Sequence, residues 1–388
     1  MNSVADRRCK LLCVHLYDDF SGSARVFAQA ISVLESRGHH VNVLVGSHGE
    51  DGFIRRSHVA ETFSYHFPSA KWRLALVFAA AQWRIFWRVR SICRRRAIDL
   101  VYVNTVLPVG AIVAAATCGV RVLAHVHEVG SGTPGLFRAL LWCVVRGAHR
   151  IVCVSRYVAE TLPLPLPRVR LLSNSLDADG EARADQIWRQ RGVREANHAF
   201  TVTMACSLKL YKGVDSFLRL ADRFTPEGSK VRFILVLNCD AAELDRFRED
   251  NSIPENLVVI RRPESVFDVY SASHLVVNLS HVDGWIETFG LTLLEAMACG
   301  IPVISPQVGG CTELFRHGEG GWQIDSRDLD GLAARIEALA AERDSWERAC
   351  HAARHAASNF SRARFNAGLN TIIDEMCPAA TAASRTSG

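Results

Sequence analysis

The sequence predicts an α/β chain of two doubly wound domains, and three observations predict it. Short β-like runs alternate with longer helical patterns along most of its 388 residues, which marks parallel βαβ units. The length exceeds what one hydrophobic core usually serves. Between residues 174 and 199 the pattern loosens into NSLDADGEARADQIWRQRGVREAN, polar and charged with no strong period.

Taken in order, the first half reads as strand KLLCVHLY, helix VFAQAISVLESRG and strand HVNVLVG, then a basic helical region. DLVYVN, the apolar VLPVGAIVAAATCG, VRVLAHVHE, a helix near LFRALLWCVVRGAH and strand RIVCVS follow. The second half opens with FTVTMACS and continues through VDSFLRLADRF, KVRFILVLN, AAELDRFRED, LVVIRR, ESVFDVYSA and HLVVNLS. Residues 328–376 read as successive helices. The division is a first domain over 1–175, a linker over 176–198 and a second domain over 199–355. A C-terminal helix over 356–377 returns to the first domain, and 378–388 reads as a disordered tail. Neither half shows a solenoid repeat. Open parallel sheets bind ligands at the carboxyl ends of their strands.

Hydrophobic residues make up 49% of the chain, enough for two cores. The 12 cysteines form no C-x-x-C pair and sit singly in apolar segments such as LLCVHL and IVCVS, as in a reduced, cytosolic protein. The start, MNSVADRRCKLLCVHLYDDF, has only a short apolar run closed by Asp18 and Asp19, so it reads as a first strand and not a signal peptide. LALVFAAAQW is too short to span a membrane. Charge is uneven: residues 1–200 hold 26 Lys and Arg against 15 Asp and Glu, the remainder 19 against 25. A basic half joined to an acidic half implies a different partner for each.

Chemistry concentrates in residues 280–305, SHVDGWIETFGLTLLEAMACGIPVIS. Glu295 stands in an otherwise apolar run, and a buried carboxylate without a partner is costly. The run after Phe289-Gly290 has helix-forming composition, which puts Gly290 at a helix start whose free amides favour an anion. Cys299-Gly300 ends that helix and Ile301 to Ile304 reads as a buried strand. Helix-start amides beside Glu287 and Glu295 suit a ligand anionic at one point and hydroxyl-rich beside it, such as a nucleotide-sugar.

ETFGLTLLEAMACGIPVISPQVGGCTEL resembles the signature of retaining glycosyltransferases of the GT-B fold, family 4 (glycosyl transferases group 1). SGSAR, HVHE, VSRYVAETL, VRLLSNSLD and YKGVDSFLRLA match in order, so the resemblance covers roughly residues 10–376. It implies two Rossmann-like domains facing across a cleft, the first binding acceptor and the second nucleotide-sugar. It also implies that Glu295 holds the donor ribose hydroxyls, that Glu287 and His127 lie against the donor sugar, and that Lys212 neutralises the leaving diphosphate. The amides of Phe289, Gly290 and Leu291 would face the diphosphate or sugar.

The chain departs from the family in two places. Ser207 stands where an arginine is usual, five residues before Lys212, and Lys209 is the substitute cation if the loop aims both lysines at one point. In DDFSGSAR only Gly22 of a glycine pair remains, Ser21 holding the other place, while Arg25 fits the basic position. Gly22 permits close backbone approach to phosphate or acceptor, and the loop is not the dinucleotide fingerprint G-x-G-x-x-G. Plainer readings stand beside these: a capping acid for Glu287, solvated lysines for Lys209, a turn for Gly309, Gly310 and Glu313. His125 and His127 raise a metal reading, which lacks further ligands, and the family needs none. The base site would lie near Asn238 and Ile260–Arg262.

Residues 71–96, KWRLALVFAAAQWRIFWRVRSICRRR, hold eight basic residues and no acid, interleaved with Trp72, Trp83 and Trp87. An anionic membrane surface suits this composition; so does a sheet-covering helix with a solvated basic face. Nucleic acid is disfavoured because no recognition motif accompanies the charge. The expected function is a retaining, metal-independent transferase with no cofactor beyond its nucleotide diphosphate sugar. It would act in the cytoplasm or at its membrane face on a glycan or lipid-linked hydroxyl, of cell-surface polysaccharide or lipopolysaccharide type. A noncatalytic sugar-nucleotide binding or scaffold protein and another GT-B enzyme such as an epimerase are the rivals.

Overall fold

The computed structural model describes residues 8–47, 49, 51–66, 71–130, 134–190, 199–225 and 229–377, with the side chains at 71, 72 and 134 outside that set. The tail expected at 378–388 and the end of the expected linker, 191–198, therefore lie outside the described residues, as do the side chains of Lys71 and Trp72.

The first of two compact units runs to Val154, includes Val158–Leu172, and takes up the chain again from Asn366. It contains β1 (Lys10–His15), α1 (Gly22–Ser36), β2 (His40–Ser47), α2 (Phe53–Ser57), β3 (Glu61–Ser64), α3 (Lys71–Arg96) and β4 (Leu100–Asn104). It continues with α4 (Val109–Thr117), β5 (Arg121–Val126), α5 (Pro134–Gly147), β6 (Arg150–Cys153), most of α6 (Arg156–Thr161) and β7 (Val169–Leu171). The seven strands are all parallel, in the order β3-β2-β1-β4-β5-β6-β7. Parallel strands covered on both faces must be apolar throughout, and β4 is buried at every position.

The second unit comprises Ser155–Tyr157 and Ser173–Phe365. Its elements are α7 (Ala178–Gln190), β8 (Phe200–Ser207), α8 (Val214–Asp222), β9 (Val231–Asn238), α9 (Ala241–Asp250), β10 (Leu257–Arg261), α10 (Val266–Ala272) and β11 (Leu275–Val277). There follow α11 (Leu291–Ala298), β12 (Val303–Ser305), β13 (Arg316–His317), β14 (Gly320–Gln323), α12 (Leu329–Ala341), α13 (Arg343–Ala357) and the start of α14 (Arg362–Met376). This sheet is also parallel, in the order β10-β9-β8-β11-β12-β14-β13. In each sheet the strand order reverses at the first strand, β1 or β8, which is where open α/β sheets leave a ligand crevice.

The segment read as a loose linker is in part a helix, α7. Its periodicity was hidden because its buried residues are small, Gly180 and Ala184. Polar pairs and one ring attach it instead. Glu181 bonds Arg362 and Asp185 pairs with Arg354. Trp188 lies flat where a Cβ on Gly300 would be, 2.3 Å from its ring, and meets His351 edge-on at 4.9 Å. The C-terminal part of α14 belongs to the first unit: Asp374 pairs with Arg37 at 2.9 Å, and Glu375 with Arg150 and Arg170 at 3.2 and 2.9 Å.

The second core centres on Phe233, fully buried and 5.5–5.6 Å from Phe217 and Phe224. Phe233→Ala is expected to destabilise this unit by roughly 3–5 kcal/mol, read as an earlier urea transition in circular dichroism.

Candidate active site

In the second unit the crevice lies at the carboxyl ends of β8 and β11. Lys212 Nζ meets Glu287 Oε2 at 3.0 Å, and their side chains are only 16% and 19% exposed. Asn278, directly after β11, donates Nδ2 to the same oxygen at 3.2 Å. Burial pushes the Glu287 carboxyl up, but the Lys212 charge, the hydrogen bonds from Lys212 and Asn278, and the Gly290 backbone N–H outweigh it and hold the group below its ordinary value. Glu287 is therefore ionised at neutral pH. Trp285 places its ring 4.8 Å from Lys212 Nζ and stacks on Tyr211 at 5.3 Å and 15°, so the ammonium is held by a carboxylate and an aromatic face together.

Glycines bring these loops within reach of each other. Gly213 has φ 74°, and a Cβ there would sit 1.9 Å from the Leu279 carbonyl. Gly309 and Gly310 press against the carbonyls of Glu287 and Thr288, at 2.4 and 1.8 Å from the position a Cβ would take. A side chain at either would push the Glu287 loop off its partner. Gly290, at φ 88°, occupies the N-cap of α11. One turn into that helix Glu295 is buried, and Tyr270 donates its hydroxyl to Glu295 Oε2 at 3.3 Å. Tyr270 is thus one partner that the apolar setting of Glu295 demanded.

In the first unit the reversal at β1 and β4 holds a second polar cluster. Asn104, the fully buried last residue of β4, donates Nδ2 to the Ser23 carbonyl and to His15 Nδ1, both at 3.1 Å. Ser23 O can only accept, which orients the amide; Asn104 Oδ1 then accepts from His127 Nε2 at 2.9 Å. Burial, followed by the neighbouring His125 and His15, pushes His127 well below the ordinary histidine value, so the ring is neutral. His125 turns instead to the Tyr102 hydroxyl, 2.9 Å from Nδ1, and burial lowers it to about 3. Among the described residues no group of three or more His, Cys, Asp and Glu is placed to hold a metal. Glu128 accepts the backbone N–H groups of His127 and Val106 at 3.2 and 3.4 Å and so ties the loops after β5 and β4 together. Between them Thr105 is held at φ 69°, strained for a β-branched residue.

Residues 187–356 match the family Glycosyl transferases group 1, and residues 20–179 match Glycosyltransferase Family 4. Together the two matches span most of the chain. The chain belongs to the group 1 glycosyltransferases. It is 22% identical over 332 residues to N-acetyl-alpha-D-glucosaminyl L-malate synthase of Bacillus anthracis, covering 82% of this chain and 84% of that one. It is 40% identical over 289 residues to D-inositol 3-phosphate glycosyltransferase of Rhodococcus opacus, covering 62% of this chain and 64% of that protein, just under two thirds. Among solved structures, Anabaena Alr3699/HepE in complex with UDP and glucose aligns with a TM-score of 0.74 at 20% identity, over 96% of this chain and all of that one. Sucrose-phosphate synthase of Thermosynechococcus elongatus aligns at 0.76 and 16%, over 96% of this chain and all of that one. At such identities the likeness shows the shared GT-B fold alone.

Within this glycosyltransferase the expected residues fall into two clusters, Lys212, Glu287, Phe289, Gly290, Leu291 and Glu295 in the second unit, Gly22 and His127 in the first. Lys209 joins neither. It is 54% exposed and points at Glu243 of α9, 4.0 Å away, because the turn at Leu210–Lys212 sends the two lysines in different directions. The Gly290 N–H is turned to Glu287. Glu313 accepts the backbone N–H groups of Arg156 and Tyr157 at 3.1 and 2.7 Å, and the glycine pair before it serves backbone packing. Asn238 and Arg262 do meet, at 2.9 Å. Gly22, at the start of α1, is exposed, and Arg25 lies over the Phe53 ring at 5.8 Å. Asn104, Asn278, Tyr211, Trp285 and Tyr270 escaped the sequence reading. The two asparagines carried a usable signal, each closing an apolar strand run where such sheets place ligand contacts.

Burial raises the Glu128 carboxyl to about 7 against its hydrogen bonds. The folded state then holds a proton that the unfolded state releases above its ordinary value of 4.5. The part of the stability that Glu128 contributes should therefore fall as pH rises from 4.5 to about 7, by about 3 kcal/mol, while the buried neutral His15, His125 and His127 contribute the opposite slope below the ordinary histidine value of 6.5. Urea titrations across that range are expected to show this fall in the difference between wild type and Glu128→Gln, the advantage of the wild type shrinking as pH rises.

Proposed function

We propose that this glycosyltransferase is a retaining, metal-independent enzyme that moves a sugar from a nucleotide diphosphate donor to a hydroxyl of a glycan or lipid-linked acceptor. The Lys212–Glu287 pair carries the reading. A donor diphosphate arriving beside it meets a cation already held in place, so little reorganisation is left for the moment when charge develops. The bond between C1 of the sugar and the leaving phosphate oxygen breaks as the acceptor oxygen approaches C1 from the same side. The acceptor proton passes to the departing phosphate, whose new charge Lys212 balances, and no enzyme nucleophile is consumed. Neutral His127, held by Asn104, orients a sugar hydroxyl; Glu295 accepts the ribose hydroxyls.

Uracil is the first base to try, because HepE structures hold UDP, UDP and glucose, or UDP-glucose. Their 19–20% identity supports no more than that order of trial. The relatives' different acceptors, malate and inositol phosphate by their names, leave the acceptor to be read by assay. Polysaccharide and lipopolysaccharide intermediates are the class we favour.

Transfer or donor hydrolysis, measured over a panel of nucleotide-sugars, tests the reading; no turnover with any donor in the presence of nucleotide binding would favour the noncatalytic alternative. In the active pairing Lys212→Ala should lower kcat by about a hundredfold or more, whereas Lys209→Ala should stay within a few-fold of wild type. Equal losses in the two variants would remove the distinction drawn here. Glu295→Ala should weaken nucleotide binding in calorimetry, and an unchanged affinity in that folded variant would sink its role.

A further inference from the structure

The transferase chemistry leaves helix α3 unused. α3 covers the first sheet with one row of side chains, Ala81, Ile85, Val89 and Ile92, all buried. On the opposite side Leu76, Trp83 and Trp87 recur at helical spacing and are 62%, 64% and 50% exposed. A helix on the surface of a water-soluble domain normally turns polar residues outward at these positions. The two indoles and Phe86 pack on one another at 5.2–6.3 Å, which makes one aromatic ridge of them. Arg94, exposed, extends the same row towards the C-terminus beyond Arg90, which donates to Thr117 Oγ1 of α4 at 2.6 Å.

The charge around the ridge is of one sign. α3 contains eight basic residues and no acid. Arg95 and Arg96 are engaged locally, with Ser91 and with Glu61 at 2.7 Å. Arg88 and Arg94 are exposed and make no hydrogen bond or ion pair with any described residue. α4 packs beside α3, and α5 beside α4. α5 exposes a third indole, Trp142, with Arg146 5.4 Å from its ring. Among the described residues no helix is long and apolar enough to cross a membrane.

We infer that this outer face of α3, extended by Trp142 and Arg146, lies on the headgroup surface of an anionic bilayer. Indoles sit well at that boundary because one edge is apolar and the N–H can stay wet. Arginines reach phosphate oxygens over their own aliphatic stems, each adding attraction near an anionic surface. A helix of this composition lies in the interface plane and does not insert across it. The inference is independent of which donor the enzyme uses.

Co-sedimentation of the full chain with phosphatidylcholine vesicles, with and without phosphatidylglycerol, tests it. Binding is expected only with the anionic lipid and should weaken as salt is raised. Arg88→Gln/Arg94→Gln should bind about thirtyfold more weakly, and Trp83→Ser/Trp87→Ser should lose most of its binding. All four positions are exposed, so unchanged unfolding midpoints certify the folds. Donor affinity by calorimetry should match wild type in both variants, which separates a failure here from a failure of the donor assignment. Equal binding to neutral vesicles, no binding to either, or anionic binding that neither variant weakens overturns the inference. So does a dimer that Trp83→Ser/Trp87→Ser turns into monomer, since the ridge would then belong to a second copy of the chain.

Discussion

Both units depend on one topological constraint, the reversal of strand order beside the first strand of a parallel sheet. The chain leaves neighbouring strands towards opposite faces there, and the loops part at the carboxyl ends. Backbone and polar side chains exposed by that parting must be satisfied. Asn104 and Asn278 do this in the same way, each closing a central strand and reaching sideways to the residue most directly tied to the proposed chemistry. His127 is fixed by the first and Glu287 by the second. The two clusters differ in sequence and in charge, yet they answer the same geometric need.

The electrostatic solutions differ because the two crevices bury different groups. Around His15, His125 and His127 burial wins, and the rings are neutral members of a hydrogen-bonded core. Around Glu287 the carboxylate stays charged because a lysine, an amide side chain and a backbone N–H converge on it. Removing any one would leave a mostly buried charge poorly compensated. The tight glycine contacts at 213, 309 and 310 keep these groups in place by fixing the loops that carry them. A site built this way is organised before any ligand arrives.

Helix α3 shows a different balance. Its inner row accounts for its place on the sheet, whereas Leu76, Trp83 and Trp87 of the outer row stay exposed. A membrane-surface reading and a sheet-covering reading were both available from the sequence; the structure buries Ala81, Ile85, Val89 and Ile92 on one side of the helix and leaves Leu76, Trp83 and Trp87 exposed on the other.

By itself the sequence determined the alternation of strands and helices, the helix start at Gly290 and the need of Glu295 for a partner. These are local facts, set by periodicity, by the conformational freedom of glycine and by the cost of a carboxylate among apolar neighbours. It could not separate Lys209 from Lys212, since both are lysines in one short loop; only the turn between them sends one to Glu243 and the other to Glu287. Helix α7 was illegible because it is anchored by ion pairs and by Trp188 against Gly300, which leave no apolar stripe. Tyr270 and Trp285 read as ordinary aromatics until folding brings them to Glu295 and Lys212. Which polar groups meet is decided by strand order and loop direction, and those are properties of the packed sheet that no single stretch of chain encodes.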